Sequence, residues 1–304
     1  MAESSFSPSA ATLDTLGVWQ FTDRLSAADA VAFARRLEEL GYSALWIPDT
    51  VGRDPFAHAA LLLAETERLV LATGIANIHH RHPGPMLQAA LTLAEQSGGR
   101  FVLGVGVSHA PLVEGLRGLD YSRPVSTMRR YLDAMDASPY TAPPPSAPPP
   151  RLLAALGPRM LALAAERADG AHPYWTTPEH TETAREILGP GKLLCVEQKC
   201  VLTTDPATAR ATARAAMELY AGLPNYTNNW KRLGFSDDDI AQRSDRLVDA
   251  LVAWGDADAI AARIHAHRDA GADHVCIQVL PTDPDAPGAI DPDALAALAP
   301  GGAA

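Results

Sequence analysis

The sequence predicts an α/β protein built as a (β/α)8 TIM barrel with an insertion after the seventh strand. Three observations carry that prediction. A helix-period segment ends at a glycine and leads within a few residues into an apolar run in "FARRLEELGYSALWIPD", "LTLAEQSGGRFVLGVG", "LALAAERADGAHPYW" and "IHAHRDAGADHVCIQVL". Glycine past a helix end supplies a left-handed cap, and a short unbroken apolar run suits a parallel strand covered on both faces. Eight such runs fit into the 304 residues, a length above the ~250 typical of the fold. An open, doubly wound sheet is the alternative arrangement.

In chain order, strands are expected near residues 17–21, 44–48, 69–74, 101–107, 152–156, 170–174, 193–202 and 274–280. Amphipathic helices are expected over 27–40, 85–97, 159–168, 207–219 and 257–270. Residues 1–14 read as a flexible arm and 15–304 as one domain. The segment 138–151, "SPYTAPPPSAPPPR", has too many prolines for helix or ladder and reads as an extended connector. Residues 221–255 form the insertion, rich in aromatic, amide and basic side chains, and insertions after barrel strands commonly cover the mouth.

Composition narrows the function. Apolar residues make up 47% and charged ones 20%, as in a globular chain. The net charge of −11 argues against nucleic-acid or anionic-membrane partners while leaving room for one local phosphate pocket. The start of the chain lacks a basic segment followed by an apolar core, and no run is long enough to span a bilayer, so a cytoplasmic protein is expected. Cys195, Cys200 and Cys276 lie in apolar runs without a CxxC pair and read as buried core residues.

In a barrel, chemistry collects at the C-terminal ends of the strands. Those ends hold Asp49 and Thr50, the run "TGIANIHHRHP", "GVGVSH", "LGPRM" and "HPYW". Gly104 and Gly106 do not open a dinucleotide loop, because the position of the third glycine is His109 and Pro111 delays any helix. Glycines there would instead let a flat ligand approach the backbone. At "LGPRM" a strand runs into Gly157-Pro158 and a helix begins, so free N–H groups could meet an anion with Arg159 beside it; Gly-Pro also simply starts helices. His79, His80 and His82 crowd one loop without a neighbouring carboxylate, which speaks against a metal and leaves ligand lining, proton transfer or loop packing. His265 and His267 read as structural. Glu197 and Lys199 alternate with apolar residues and read as ion-paired filler of the barrel's end layers, an inward functional group being the other reading. No GxSxG, P-loop or HExxH element is present.

The blocks "ELGYSALWIPD", "ATGIANIHHRHP", "LAEQSGGRFVLGVGVSHAPLVE", "LGPRMLALAAERADGAHPYWTTPEHT" and "GADHVCIQVL" resemble, in order and spacing, the bacterial-luciferase-like oxidoreductases, specifically their coenzyme F420-dependent subgroup. The resemblance runs from about Leu16 to Leu280. It implies a TIM barrel, often a homodimer, holding a deazaflavin or flavin across its mouth. "TGIAN" matches a segment that often contains a non-proline cis peptide behind the ring, which implies cofactor contacts from Thr73, Gly74 and Ile75, with Asn77 closing the block. Asp49 with Thr50 matches the acidic strand end near the ring edge, Gly106, Val107 and Ser108 match further contacts, and Leu156, Gly157, Pro158 and Arg159 match the loop that holds the phosphate.

The chain departs from the sugar-phosphate dehydrogenases of that family. Their histidine after the strand-two aspartate and their glutamate at the end of strand four are here Thr50 and Val107. Their proton-transfer pair is therefore absent, and His79, His80, His109 or Tyr174 is the expected source of a proton. The resemblance implies hydride transfer between F420 and a small organic substrate, as C=C or C=N reduction or alcohol oxidation. An FMN-dependent monooxygenase and a cofactor-binding barrel without catalysis are the alternatives. No metal, membrane or nucleic-acid partner is expected.

Overall fold

The computed structural model describes residues 13–283 and 288–300; the expected arm, but for Leu13 and Asp14, lies outside them. Ten strands form: β1 (Leu16–Trp19), β2 (Ala44–Ile47), β3 (Val70–Thr73), β4 (Ala76–Asn77), β5 (Phe101–Gly106), β6 (Arg151–Leu153), β7 (Gly170–Ala171), β8 (Leu193–Leu202), β9 (Val252–Gly255) and β10 (His274–Val279). Every ladder between them is parallel, in the order β10-β1-β2-β3-β5-β6-β7-β8. The pairing of β10 with β8, from His274↔Cys195 to Val279↔Cys200, closes the ring into an eight-stranded barrel. Closure excludes the open doubly wound sheet.

All eight expected strands are present. Most are trimmed by a residue or two and β7 by three; β6 leaves its ladder at Leu153 and β7 at Ala171. Pro173 has no N–H to offer a ladder, and the residues released, 154–157 and 172–175, turn into the mouth. Two strands were not expected. β4 continues β3 along β5, and β9, inside the insertion, pairs with the far end of β8 through Lys199↔Val252 to Leu202↔Gly255.

The buried strands still sort their side chains with period two. In β2, Ala44 and Trp46 join the cluster inside the barrel, with Trp19, Val70, Ala72, Val102, Leu152, Cys195 and Cys276, whereas Leu45 and Ile47 pack outward against the helices. At the N-terminal end His274 plugs the barrel: one ring nitrogen meets Asp14 O and the other, Nε2, accepts the Trp46 indole N–H at 3.1 Å. The three cysteines are buried and free.

The surrounding helices are defined by their caps. Asp54, Thr177, Asp205 and Asp256 accept from the first backbone N–H groups of the helices they precede, satisfying donors that the helix itself leaves unpaired. Residues 138–150 run without helix or ladder up to β6. The insertion folds into helices Pro224–Arg232, Asp237–Gln242 and Asp245–Leu251, joined to Trp175 and Leu280 in a second apolar cluster around Trp230. This cluster seats the insertion over the C-terminal end of the barrel. No described helix is long and apolar enough to cross a membrane.

Candidate active site

The C-terminal ends of the strands enclose a cavity of about 490 Å³ whose wall runs from Trp19 and Asp49 past Ile75 and His109 to Arg159 and Arg232. One side is a shelf. The Gly74–Ile75 peptide is cis, and Gly74 O accepts the Trp19 indole N–H at 2.9 Å. The two glycines of β5 make room for this shelf. A methyl on Gly104 would stand 2.0 Å from Thr73 O, and one on Gly106 would stand 2.5 Å from Ile75 Cδ1. The space left by their missing side chains is thus taken by the protein's own Thr73 and Ile75.

Of the residues expected to touch a cofactor, Asp49, Thr50, Gly74, Ile75, Val107, Ser108, Leu156, Gly157, Pro158 and Arg159 line the cavity. Thr73, Asn77 and Gly106 stand behind the wall. Thr73 Oγ1 is turned to Gly104 O at 2.7 Å, and Asn77 N donates to Asp49 Oδ2 at 3.1 Å, so both brace the shelf.

The four expected proton sources are placed very differently. His80 stands behind Asp49: its Nδ1 is 3.0 Å from Asp49 Oδ1 and its Nε2 is 3.0 Å from Asn77 Nδ2. An amide donor at Nε2 leaves the proton on Nδ1, which donates to the carboxylate. Arg81 NH1 reaches the other Asp49 oxygen at 2.6 Å and also pairs with Asp54. Asp49 is therefore fully engaged by Asn77, His80 and Arg81. His79 also lies off the cavity wall, with its ring 6.3 Å from that of Tyr121. Tyr174 does line the cavity, but its hydroxyl is tied to Gln278 Oε1 at 2.9 Å and to Tyr220 at 3.2 Å, and burial raises its pKa well above the ordinary phenol range.

His109 is the expected proton source that opens on the cavity with a ring nitrogen to spare. Its Nδ1 lies 3.0–3.2 Å from the Asn225 side-chain amide, and burial holds its pKa below the ordinary imidazole value. Ser108 before it has φ 59, a left-handed conformation that non-glycine residues adopt at a cost. Tyr121 Oη donates to Ser108 O at 2.8 Å and holds the turn that aims His109.

At the anion end, Gly157 precedes helix Pro158–Arg167 and supplies no side-chain cap. Pro158 carries no N–H and Met160 N donates back to Gly157 O at 3.1 Å, so the Arg159 N–H is the one left at this start, where the helix dipole favours negative charge. Gly157 also leaves space for Arg232, whose NH2 group would be 3.4 Å from a methyl on it. Arg232 donates to Asn229 Oδ1 at 3.2 Å, while the Asn229 Nδ2 donor is buried without a partner among the described residues. His180 Nε2 meets Leu156 O at 2.8 Å and anchors the turn.

Beneath the aromatic wall, Lys199 Nζ pairs with Glu197 Oε1 at 2.9 Å and lies 3.6 Å from the centre of the Tyr174 ring. Glu197 Oε2 also accepts from Trp175 N at 3.2 Å. Burial pushes Lys199 down to about 8. The pair lies in the barrel's interior, as the filler reading expected. No cluster of metal-ligating side chains occurs among the described residues.

The sequence reading did not single out Trp19, His172, Tyr220, Asn225, Tyr226 or Arg232, all of which line the cavity. For Tyr220, Asn225, Tyr226 and Arg232 the signal was the composition of "YAGLPNYTNNWKR", which crowds aromatics, amides and cations into one segment, and His172 stood in the strand end "HPYW".

Comparison with known proteins agrees with this architecture. The family model described as luciferase-like monooxygenase matches residues 9–274. A provisionally named coenzyme F420-dependent oxidoreductase of Mycobacterium tuberculosis is 27% identical, over 84% of this chain and 91% of its own. The 5,10-methylenetetrahydromethanopterin reductase of Archaeoglobus fulgidus is 27% identical, over 73% and 75%. Among solved structures, an F420-dependent secondary alcohol dehydrogenase in complex with an F420-acetone adduct superposes with a TM-score of 0.72 at 17% identity, covering 90% of this chain and 94% of that one, which shows a shared fold.

Proposed function

This chain belongs to the luciferase-like monooxygenase family, and from that premise we propose that it is a coenzyme F420-dependent oxidoreductase acting on a small organic molecule. The observation that carries the proposal is the pairing, in one cavity, of a flat shelf at Gly74-Ile75 with an uncapped helix start flanked by Arg159 and Arg232. A deazaflavin needs both: an apolar surface for its ring and donors for its phosphate. The names of the Mycobacterium tuberculosis and Archaeoglobus fulgidus relatives support F420 over FMN.

When bound, the deazaflavin supplies a carbon that gives or takes a hydride and reacts poorly with oxygen. The shelf would carry the ring, Gly157, Arg159 and Arg232 would hold the phosphate, and the insertion would cover the mouth. His109 moves the accompanying proton at Nε2, because Nδ1 is occupied by Asn225. In the reducing direction, His109 would supply the proton that must accompany reduction of an electron-poor C=C or C=N bond. The protein is proposed to act as a cytoplasmic homodimer.

Titration of the purified protein with F420 and, separately, with FMN, followed by fluorescence, tests the reading. Selective F420 binding is the expected result. Selective FMN binding would replace it with oxygen-dependent monooxygenase chemistry.

A further inference from the structure

Beyond the shelf and the anion pocket, the cavity is walled by a continuous run of aromatic rings. Trp19 packs 4.7 Å from Phe21 and 5.2 Å from Tyr174; Tyr174 lies 5.7 Å from Tyr220, Tyr220 lies 5.1 Å from Tyr226, and Tyr226 lies 5.3 Å from His109. The run leads from the first barrel strand, across the insertion, to the imidazole that faces the cavity.

Charge along this wall is accounted for: behind it the Lys199 ammonium, 3.6 Å from the Tyr174 ring centre, is balanced by Glu197 at 2.9 Å. The Asp, Glu, Lys and Arg side chains that reach the cavity are Asp49, Arg159 and Arg232. Asp49 is engaged by Asn77, His80 and Arg81, and the two arginines flank the helix start. The Tyr174 and Tyr220 hydroxyls bond to each other, and burial raises both pKa values, that of Tyr220 to about 12, so the wall carries no phenolate near neutral pH. An ionised group laid against it would lose its hydration without gaining a partner.

We propose that the substrate is an uncharged, flat, largely apolar molecule with one polar acceptor, such as an α,β-unsaturated ketone or imine. It lies along the Trp19–Tyr174–Tyr220–Tyr226 wall with its acceptor at His109. The assignment rests on the proposed function in giving the shelf to the cofactor; the wall itself does not depend on which flavin occupies it. Ring against ring supplies apolar burial and oriented stacking, and the His109 end supplies a polar contact that sets direction.

The test uses two ligands of nearly the same shape, benzylideneacetone and cinnamate, which differ in a methyl against a charged oxygen. Binding is followed by calorimetry on the cofactor-loaded protein at pH 7.5. The ketone is expected to bind at least about tenfold more tightly than the carboxylate, since an unpaired buried charge is costly. Tyr226→Ala is expected to weaken the ketone several-fold with the F420 affinity unchanged, and Tyr226→Phe to retain it. Equal or tighter binding of cinnamate would overturn the proposal, as would a protein that binds F420 and neither ligand. If F420 itself fails to bind while the ketone preference persists in the cofactor-free protein, the cofactor reading falls and the substrate class stands.

Discussion

Asn225 reaches His109 across the barrel mouth: the amide and the imidazole Nδ1 are 3.0–3.2 Å apart, although the residues are separated by 116 positions in the chain. The amide oxygen accepts when Nδ1 carries the proton, leaving Nε2 to exchange a proton with a substrate. The insertion is thus part of the proposed chemistry as well as its cover.

Replacing His109 with Ala is expected to lower turnover by about 10²-fold or more, the usual contribution of a positioned acid or base, with F420 affinity retained. Burial lowers the His109 pKa below its ordinary 6.5. Its protonated form therefore declines at a lower pH than for a free imidazole, and proton-requiring reduction should fall as pH rises through that lowered value. Asn225→Ala should lower kcat more than it raises KM, with Asn225→Gln recovering part of the loss. A pH–rate profile of His109→Ala that matches the wild type would remove the assignment.

Arg232→Ala is expected to weaken phosphate-bearing flavins or deazaflavins by roughly 10- to 100-fold, the scale of one charge-assisted hydrogen bond. The same chromophore without its phosphate should bind the variant and the wild type alike. Parallel titrations with both ligands check this, and an equal loss for both would place Arg232 outside the anion pocket.

Gly106→Ala pushes a methyl to within 2.5 Å of Ile75 Cδ1 and 3.0 Å of Ala154 Cβ. Ile75 must then move toward the cavity, so ring binding should weaken and stability should fall by about 1–3 kcal/mol, as for overpacked cores. Gly104→Ala should be worse, because its methyl would meet the Thr73 carbonyl at 2.0 Å and backbone yields less readily. Urea midpoints of the two variants give the order directly.

Lys199→Met leaves Glu197 buried and unpaired, which should cost about 3–5 kcal/mol. Adding Glu197→Gln removes the charge and should restore most of the loss. A double variant no more stable than Lys199→Met would show that the pair does more than balance charge.

Acid should loosen the barrel core. Burial pushes His172 and His274 down to about 4. Between that value and the unfolded value of about 6.5, the unfolded chain binds more protons, so stability rises with pH and is lost as pH falls through the window. Each buried imidazole contributes up to about 3 kcal/mol by this route. The urea midpoint is expected to drop between pH 6.5 and 4, and less steeply in His274→Gln.

The barrel was legible because its signal is local and repeated. A helix, a glycine cap and an apolar run recur, and β8 spans Leu193–Leu202 as that run suggests. The helix start at Gly157 and the special backbone at Gly74-Ile75 were also written in contiguous motifs, the latter through family resemblance. What the sequence left open depends on contacts between distant segments. Composition does not say that Gly104 and Gly106 accommodate Thr73 and Ile75, because that needs the register of β3 beside β5. Four histidine and tyrosine candidates looked equivalent by position, yet folding engages His80 with Asp49, sets His79 behind the wall, ties Tyr174 to Gln278 and leaves His109 facing the cavity. Likewise Arg232 meets Gly157 only because Trp230 and its neighbours seat the insertion over the mouth. Local periodicity and capping determine the elements, whereas the identity of a site depends on which side chains closure of the barrel brings within hydrogen-bond reach.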